Sequence, residues 1–216
     1  MIELAVKAVL SYLVGSLVGS LLFGRLFGAG DIRSEGSGNA GATNALRTHG
    51  WPFAVLVAAF DVAKGWIAVG WIAPLQIPGL AAAAPSVQLW LAVSCGFAAI
   101  LGHVYPLLHG FRGGKGGATA IGAVLALSPV SVLLMLLVWL MVVVVLGFVG
   151  LGTMTAAAML PLILLATGAT PRGPLLVFGM AVAALVIFSH RRNIERMRKG
   201  TEPRARRLWL LGRGRR

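Results

Sequence analysis

Residues 118–168 read ATAIGAVLALSPVSVLLMLLVWLMVVVVLGFVGLGTMTAAAMLPLILLATG, about 50 residues without one charged side chain. Crossing roughly 30 Å of hydrocarbon takes about 20 helical residues, so this stretch is too long for a single crossing. Pro129 and the glycines Gly147, Gly150 and Gly152 are its natural breaks. The whole chain is 58% hydrophobic and only 12% charged, whereas a soluble domain is about a quarter charged. The sequence predicts an all-α integral membrane protein.

Further apolar stretches on either side are candidate spans, several of which approach this length, and they cover residues 4–22, 51–72, 87–105 and 174–189. The first begins with Glu3 before Lys7 and so lacks the basic start of a signal peptide. We therefore expect it to be retained as a helix. Cys95 is the single cysteine, which excludes an internal disulfide and indicates a packing role.

Three polar segments interrupt the apolar pattern and hold sixteen of the 19 basic residues. They are the first segment (24–49), the second segment (106–117) and the third segment (from residue 190). The positive-inside rule places all three in the cytoplasm. The connection at 170–173 holds Arg172 as its only charge, so the same rule places it outside. An odd number of crossings must therefore separate Arg172 from the second segment. Three crossings give about seven transmembrane helices, with the N-terminus outside and the C-terminus cytoplasmic; five spans with an interfacial helix are the alternative.

The end of the chain is strongly basic, since eleven of the 19 Lys and Arg residues lie between residues 191 and 216. A basic segment directly after an apolar helix is attracted to anionic lipid by about 1 kcal/mol per charge. Binding of nucleic acid is disfavoured because Trp209 is the only aromatic residue there. The sequence thus divides into a polytopic membrane domain, 1–190, and a basic cytoplasmic tail, 191–216.

The first segment combines glycines with a dense set of hydrogen-bond donors. Gly36, Gly38 and Gly41 allow the backbone to approach a ligand closely. Arg47 supplies a planar fork suited to phosphate oxygens. Neutral polar groups come from Ser37, Asn39, Thr43 and Asn44. These residues favour binding of a phosphorylated ligand over the alternative of a flexible loop built from turn residues.

The second segment ends in a glycine-rich turn that carries two cations and leads into a helix. The sequence 111–119 is FRGGKGGAT, in which Gly113, Gly114 and Gly116 surround Lys115. Free amides and the positive end of a helix dipole form an anion site in such a turn. It is not a Walker A loop, because glycine rather than Ser or Thr follows the lysine and no strand precedes it. With Arg112 and Thr119, the pattern predicts phosphate binding.

Histidines near the segment boundaries are candidates for a protein base. His190 and Asn193 are three residues apart and share a face if the last helix continues, although a solvated basic helix end is the alternative. His103, at the end of a predicted span, could equally be a satisfied interfacial residue. No His or Cys cluster has metal-ligand spacing, so neither a metal nor another cofactor is expected. Asp61 and Lys64 lie inside the second span, where they should pair with each other or with the loops.

Together the three segments resemble the signature motifs of the bacterial membrane acyl-phosphate:glycerol-3-phosphate acyltransferases. The resemblance is carried by residues 36–39 with Arg47, by Gly102-His103 with Lys115-Gly116 and Thr119, and by His190-Arg191 with Asn193-Ile194. It implies an enzyme with seven spans and a cytoplasmic active site in the bacterial cell (inner) membrane. The implied reaction moves a fatty acyl group from acyl-phosphate to the 1-hydroxyl of glycerol 3-phosphate, giving lysophosphatidic acid and phosphate for phospholipid biosynthesis without coenzyme A.

The resemblance also implies roles for individual residues. Lys115 and Arg112 would stabilise charge on the departing phosphate, and Arg47 would bind glycerol phosphate. His190 or His103 would be the protein base, unless a substrate phosphate oxygen accepts the proton. The whole expected phosphate-binding set is Ser37, Asn39, Thr43, Asn44, Arg47, Arg112, Gly113, Gly114, Gly116, Thr119 and Asn193.

The expected partners are acyl-phosphate, glycerol 3-phosphate and membrane lipid, with no nucleic acid and no obligate protein partner. The chain departs from the family pattern after the fifth span, where Thr153 is the only polar side chain among the glycines. The main rival function is a membrane transporter of phosphorylated solutes. Transporters place substrate near the bilayer midplane, whereas the polar groups here cluster at one face. A lipid-binding scaffold would not need three clusters of donors.

Overall fold

A computed structural model describes residues 2–79, 84–168, 172–206 and 208–210. The regular structure in these ranges is entirely helical, as predicted. The chain divides into two compact units, Met1–Leu127 and Ser128–Arg216. The first and second segments belong to the first unit, and the third segment belongs to the second unit.

The described residues of the first unit form six α-helices. They are α1 (Ile2–Gly15), α2 (Gly19–Leu26), α3 (Ala42–Thr48), α4 (Gly50–Ile67, continued by a π-helical turn, Ala68–Ile72), α5 (Pro85–Val104) and α6 (Gly117–Leu127). Short 3-10 turns lie at Ile32–Ser34 and Leu107–His109. The spans predicted at 51–72 and 87–105 are confirmed as helices that are long and apolar enough to cross a membrane.

The predicted first span, 4–22, is wrong as a continuous helix. The axes of α1 and α2 are bent by 49°. Between them the carbonyl of Leu17 accepts a hydrogen bond from Lys64 Nζ at 3.0 Å, and the amide of Gly19 donates to Asp61 Oδ1 at 3.2 Å. These bonds to α4 replace helical hydrogen bonds within the chain, which is a recognised cause of a sharp kink.

Glycines bring the helices of the first unit into close backbone contact. Gly15 of α1 lies against the carbonyl of Ala99 in α5, and Gly65 of α4 lies against the carbonyl of Thr119 in α6. A Cβ at either glycine would overlap that carbonyl. Membrane helices associate mainly through such packing of small residues, because lipid offers little hydrophobic drive.

The second unit contains α7 (Pro129–Leu146), α8 (Val149–Ala166), α9 (Arg172–Ser189) and α10 (Arg191–Arg198). Helix α8 packs against both α7 and α9. The predicted break at Gly147 is confirmed, since this residue ends α7 with φ 81°. The predicted breaks at Gly150 and Gly152 are wrong, because both are inside α8. There Gly152 allows close contact with Trp139, which a Cβ would approach within 3.1 Å.

Part of the basic tail folds back onto the turn between α7 and α8. The amide of Ala205 donates to the Gly147 carbonyl at 2.8 Å, and Trp209 Nε1 donates to the Val145 carbonyl at 3.2 Å. The Arg204 guanidinium lies 4.6 Å from the Phe148 ring centre. These contacts satisfy carbonyls at the end of α7 that have no partner within the helix. The cytoplasmic location of the tail remains a prediction.

Five helical segments of the described chain are long and apolar enough to cross a membrane: Gly50–Ile72, Pro85–His109, Pro129–Leu146, Val149–Ala166 and Arg172–Ser189. The bent pair α1–α2 makes six if it counts as one span. Helix α6 has 11 residues and is therefore only about 16 Å long, too short for a full crossing. Seven spans, like the orientation of the termini, remain a prediction.

Candidate functional site

Asn44 is the organising residue of the first segment. Its side chain is buried, with 1% exposure, and its Oδ1 accepts from the Ser37 amide at 2.7 Å and hydroxyl at 3.1 Å. Its Nδ2 donates to the carbonyls of Ile32 at 3.0 Å and Glu35 at 3.1 Å. Both amide hydrogens are thus used within the loop. The geometry does not support the prediction that Asn44 donates to a ligand; it fixes the shape of the loop instead.

The other predicted residues of the first segment are more accessible. Ser37 and Asn39 are partly buried, while Thr43 and Arg47 are exposed at the two ends of α3. Gly38 has φ 70°, a conformation that glycine adopts readily. The residues predicted to bind phosphate thus comprise the exposed Arg47 guanidinium and several neutral polar groups, in a loop that Asn44 holds in shape.

The second segment folds back onto the end of α5. The amide of Gly113 donates to the Val104 carbonyl at 3.1 Å, and the amide of Gly114 donates to the His103 carbonyl at 3.0 Å. The chain then turns at Gly116, with φ 83°, into α6. Lys115 is partly buried in this turn, which leads into a helix N-terminus suited to an anion.

The two segments contact each other at Gly114. A Cβ on Gly114 would overlap Nε2 of His103 and would lie 3.0 Å from the carbonyl oxygen of Ala40. Arg33 adds a second link, since its Nη1 donates to the carbonyls of His109 at 3.0 Å and Arg112 at 2.8 Å. The loop that bears Arg112 and Lys115 is thereby held against the first segment.

An ion pair orients Arg33 for this link. Its Nη2 lies 2.6 Å from Asp31 Oδ2. The hydrogen bond from Arg33 lowers the pKa of Asp31 below its usual value, and the same bond raises the pKa of Arg33. The sequence analysis missed both residues, although their spacing of two in a turn is a signal for a local pair.

Two further residues predicted for the site are buried. Thr119 has 0% exposure, and its hydroxyl has no hydrogen-bond partner among the described residues. His103 has 3% exposure, and its Nδ1 lies 2.7 Å from Lys64 Nζ and 3.4 Å from Asp61 Oδ1. The expected pairing of Asp61 with Lys64 is present at 2.9 Å.

In the second unit, His190 lies between two helices. Helix α9 ends at Ser189 and α10 begins at Arg191, so the expectation that the last helix continues through His190 is wrong. The amide of Asn193 donates to the His190 carbonyl at 2.8 Å. Nδ1 of His190 lies 2.8 Å from the Val186 carbonyl. Because a carbonyl only accepts, Nδ1 carries the hydrogen and Nε2 holds the lone pair of the neutral ring.

Asn193 is buried, with 5% exposure, and is held by a residue that the sequence analysis missed. Its Nδ2 donates to Glu202 Oε1 at 2.7 Å, and Glu202 Oε2 accepts from Arg196 Nε at 2.6 Å. A Cβ on Gly150 would lie 2.9 Å from Asn193 Nδ2. The sequence did offer a signal for Glu202, because a carboxylate within a strongly basic tail is expected to pair with a neighbouring donor. In the described part of the chain, no group of His, Cys, Asp or Glu could hold a metal ion.

Comparison with known proteins gives a consistent result. The sequence profile of the family described as glycerol-3-phosphate acyltransferase matches residues 5–200. The chain is 40% identical over 198 residues to a glycerol-3-phosphate acyltransferase of Syntrophomonas wolfei, which covers 92% of this chain and 95% of the relative.

The fold also resembles that of solved structures. The crystal structure of PlsY (YgiH), an integral membrane glycerol 3-phosphate acyltransferase, in its glycerol 3-phosphate form has a TM-score of 0.79 at 35% identity, covering 93% of this chain and 94% of that one. The lysophosphatidic acid form of PlsY (YgiH) has a TM-score of 0.78 at 34% identity, covering 96% of this chain and 98% of that one. With its apolar helices, the chain is an integral membrane protein.

Proposed function

Because the chain belongs to the glycerol-3-phosphate acyltransferase family, we propose that it transfers a fatty acyl group from acyl-phosphate to the 1-hydroxyl of glycerol 3-phosphate. The products are inorganic phosphate, which is released, and lysophosphatidic acid, which enters phospholipid biosynthesis. The contact of Gly114 with His103 and Ala40 carries this proposal. This contact joins the second segment, which carries Arg112 and Lys115, to the first segment, which carries Arg47 and neutral donors. Such an arrangement suits a reaction between two phosphorylated substrates.

Acyl-phosphate is a mixed anhydride, so its carbonyl is already activated toward a hydroxyl group. The hydroxyl oxygen forms a bond to the carbonyl carbon, the bond to the phosphate oxygen breaks, and phosphate leaves with the electron pair. Correct positioning of the two reactants can supply about 7–11 kcal/mol of the barrier. We assign Lys115 and Arg112 to the charge that develops on the departing phosphate.

Binding of glycerol 3-phosphate is assigned mainly to the first segment. The exposed Arg47 provides a guanidinium that matches phosphate geometry. Ser37, Asn39 and Thr43 of the same segment provide neutral polar groups. Asn193 is assigned to the same substrate on the resemblance of the third segment to the family motif.

The proton of the attacking hydroxyl passes to a histidine or to the departing phosphate. His190 is the better protein base, since hydrogen bonding of Nδ1 to the Val186 carbonyl leaves the lone pair on Nε2. In His103 the nitrogen nearest Lys64 must accept a hydrogen bond, which places the ring hydrogen on Nε2. His103 is therefore a donor rather than a base.

We place this chemistry at the cytoplasmic face of a bacterial inner membrane. The three polar segments hold most of the basic residues, which favours the cytoplasm. The acyl chain of the donor would lie between helices in the bilayer. Transport of phosphorylated solutes is disfavoured by the family membership, and the charges inside α4 are paired with each other.

The test is acyl transfer by the purified protein in detergent. Radiolabelled glycerol 3-phosphate is offered with palmitoyl-phosphate or with palmitoyl-coenzyme A, and labelled lipid and released phosphate are measured together. We expect equal amounts of lysophosphatidic acid and phosphate with palmitoyl-phosphate only. The donor assignment fails if palmitoyl-coenzyme A alone supports robust turnover, and the acyltransferase assignment fails if neither donor does.

A further inference from the structure

Three ionisable side chains are buried together in the first unit. Asp61 and Lys64 lie one turn apart on α4, and His103 lies at the end of α5. Their exposed fractions are 1%, 2% and 3%. A charge buried in a membrane helix is costly unless it is paired, and it commonly marks a functional site.

The ammonium group of Lys64 has its hydrogen-bonding capacity filled. It has three hydrogens to donate and no lone pair to accept with. Its three neighbours are Asp61 Oδ1 at 2.9 Å, His103 Nδ1 at 2.7 Å and the Leu17 carbonyl at 3.0 Å. One cation thus joins α4 to α5 and to the break between α1 and α2.

The same hydrogen bonds determine the tautomer and orientation of His103. Because Nδ1 accepts from Lys64, the ring hydrogen lies on Nε2, the atom that faces Gly114. The main chain of His103 also supports the second segment, through its carbonyl bond to the Gly114 amide at 3.0 Å. Ring and carbonyl together form the surface on which the glycine turn rests.

We propose that Lys64 is a positioning residue for the glycine-rich turn of the second segment. By holding the His103 ring in one orientation, it keeps Gly113 and Gly114 in the conformation that presents Lys115 to a phosphate group. Lys64 itself touches no substrate. The proposal rests on the proposed function for its effect on turnover, but its effect on the turn is independent of any reaction.

The test removes the buried charges as a pair, since a single substitution would leave an unpaired charge. The variant Asp61→Asn/Lys64→Met keeps side-chain size and removes both charges. We expect kcat/KM for glycerol 3-phosphate to fall by about 10²-fold, the usual scale for misplaced catalytic groups. Amide hydrogen exchange in the peptide containing Gly113 and Gly114 should accelerate by about tenfold or more, as expected for a locally loosened turn. Unchanged kcat/KM together with unchanged exchange would overturn the proposal.

The matched control is a second buried lysine pair of the same unit. Lys7 is 2% exposed, lies 2.6 Å from Glu3 Oε1 and donates to the Ala73 carbonyl at 2.7 Å. The variant Glu3→Gln/Lys7→Met should leave exchange at Gly113 and Gly114 unchanged. Equal acceleration in both double variants would show general loosening of the unit and would overturn the specific role of Lys64.

If the variant Asp61→Asn/Lys64→Met does not fold, two substitutions of His103 test the proposed role of Lys64 instead. His103→Asn retains an acceptor near the position of Nδ1, whereas His103→Leu does not. We expect His103→Asn to retain about tenfold more activity and slower exchange than His103→Leu, because it preserves a charge-assisted hydrogen bond from Lys64. Equal losses would overturn the proposal. Exchange needs no substrate, so it tests positioning even if wild-type protein transfers no acyl group and the proposed function fails.

Discussion

The first and second segments are both rich in glycine, but different interactions fix their conformations. In the first, the Asn44 side chain bonds to three other residues of the loop. In the second, Gly113 and Gly114 bond through their amides to the end of α5, and the absence of side chains permits close contact with His103. A side chain within the loop therefore shapes the segment assigned to binding, while main-chain bonds to α5 and contact with the His103 ring shape the segment assigned to phosphate departure.

The largest effect should come from removing the Lys115 ammonium group of the second segment. Lys115→Ala should lower kcat by about 10²–10³-fold, the scale for losing one preorganised group that stabilises developing charge. Lys115→Arg should recover only part of this, because the turn is tightly packed: a Cβ on Gly116 would lie 2.9 Å from Ile100. Steady-state kinetics on folded protein measures both.

The matched variant in the first segment is Arg47→Ala, which should mainly raise KM for glycerol 3-phosphate. An interaction made equally in the ground and transition states changes KM rather than kcat. A loss of kcat in Arg47→Ala equal to that in Lys115→Ala would remove the distinction between a binding loop and a transfer loop. Wild-type turnover in Lys115→Ala would remove Lys115 from the site.

The next largest loss of activity should come from adding a methyl group to the second segment at Gly114. Gly114→Ala places a Cβ on His103 Nε2, so the turn must shift, and kcat/KM should fall by about 10²-fold. Gly110→Ala is the control: its φ is 64° and nothing lies within 4 Å of the added Cβ. It should cost about 1 kcal/mol of stability through backbone strain and little activity. Similar kinetics for the two variants would argue against support of the turn by His103.

Most membrane helices could be predicted from apolar length alone, because α5 and α9 begin and end where the apolar runs do. The break between α1 and α2 was missed, although Gly15-Ser16 and Gly19-Ser20 flank it and Gly/Ser pairs are common at kinks. The bond from Lys64 to Leu17 could not be predicted, because Lys64 is distant in sequence. The helix breaks predicted at Gly150 and Gly152 were wrong for a related reason. In α8 these glycines serve close packing, and the sequence alone does not distinguish that use from a turn.

The candidate site was predictable as a set of residue types but not as a set of roles. Glycines and cations identified both loops of the first unit. The sequence does not reveal which polar side chains are already used by neighbouring backbone, and Asn44 was for that reason taken for a ligand donor. Glu202 was missed because its partner Asn193 lies across a turn that only the folded tail defines.

The dependence of the first segment on Asn44 can be tested with two glycines of positive φ. Gly36 has φ 56° and Gly38 has φ 70°, so alanine should cost about 1 kcal/mol of strain at each. Only at Gly36 would the new Cβ also overlap Asn44 Oδ1; at Gly38 it would lie 3.5 Å from the Arg33 carbonyl. Displacing a buried hydrogen-bonded amide should add about 1 kcal/mol.

Thermal unfolding in detergent should therefore show Gly36→Ala to be the less stable variant, by roughly twice the loss seen for Gly38→Ala. Equal destabilisation would mean that the amide of Asn44 can move aside without cost. In that case glycine conformation, rather than the Asn44 side chain, would determine the shape of the first segment, and the contrast between the two loops would lose its basis.

The smallest effect concerns the link between the loops through Arg33, which Asp31 orients. The hydrogen bond from Arg33 lowers the pKa of Asp31 in the folded protein, so the stabilisation is fully present above the unfolded value of about 3.9. It is lost as pH falls from there through the lower folded pKa. Because Asp31 is exposed and Arg33 only partly buried, we expect the pair to contribute less than about 1 kcal/mol to the free energy of unfolding. Asp31→Asn should match wild type in thermal unfolding at the acid end of this window and be slightly less stable at pH 6, with the difference reduced by salt.

A difference in stability that grew on acidification would contradict the sign of the pKa shift. A difference much larger than about 1 kcal/mol would make this surface pair, rather than the contact at Gly114, the principal link between the two segments.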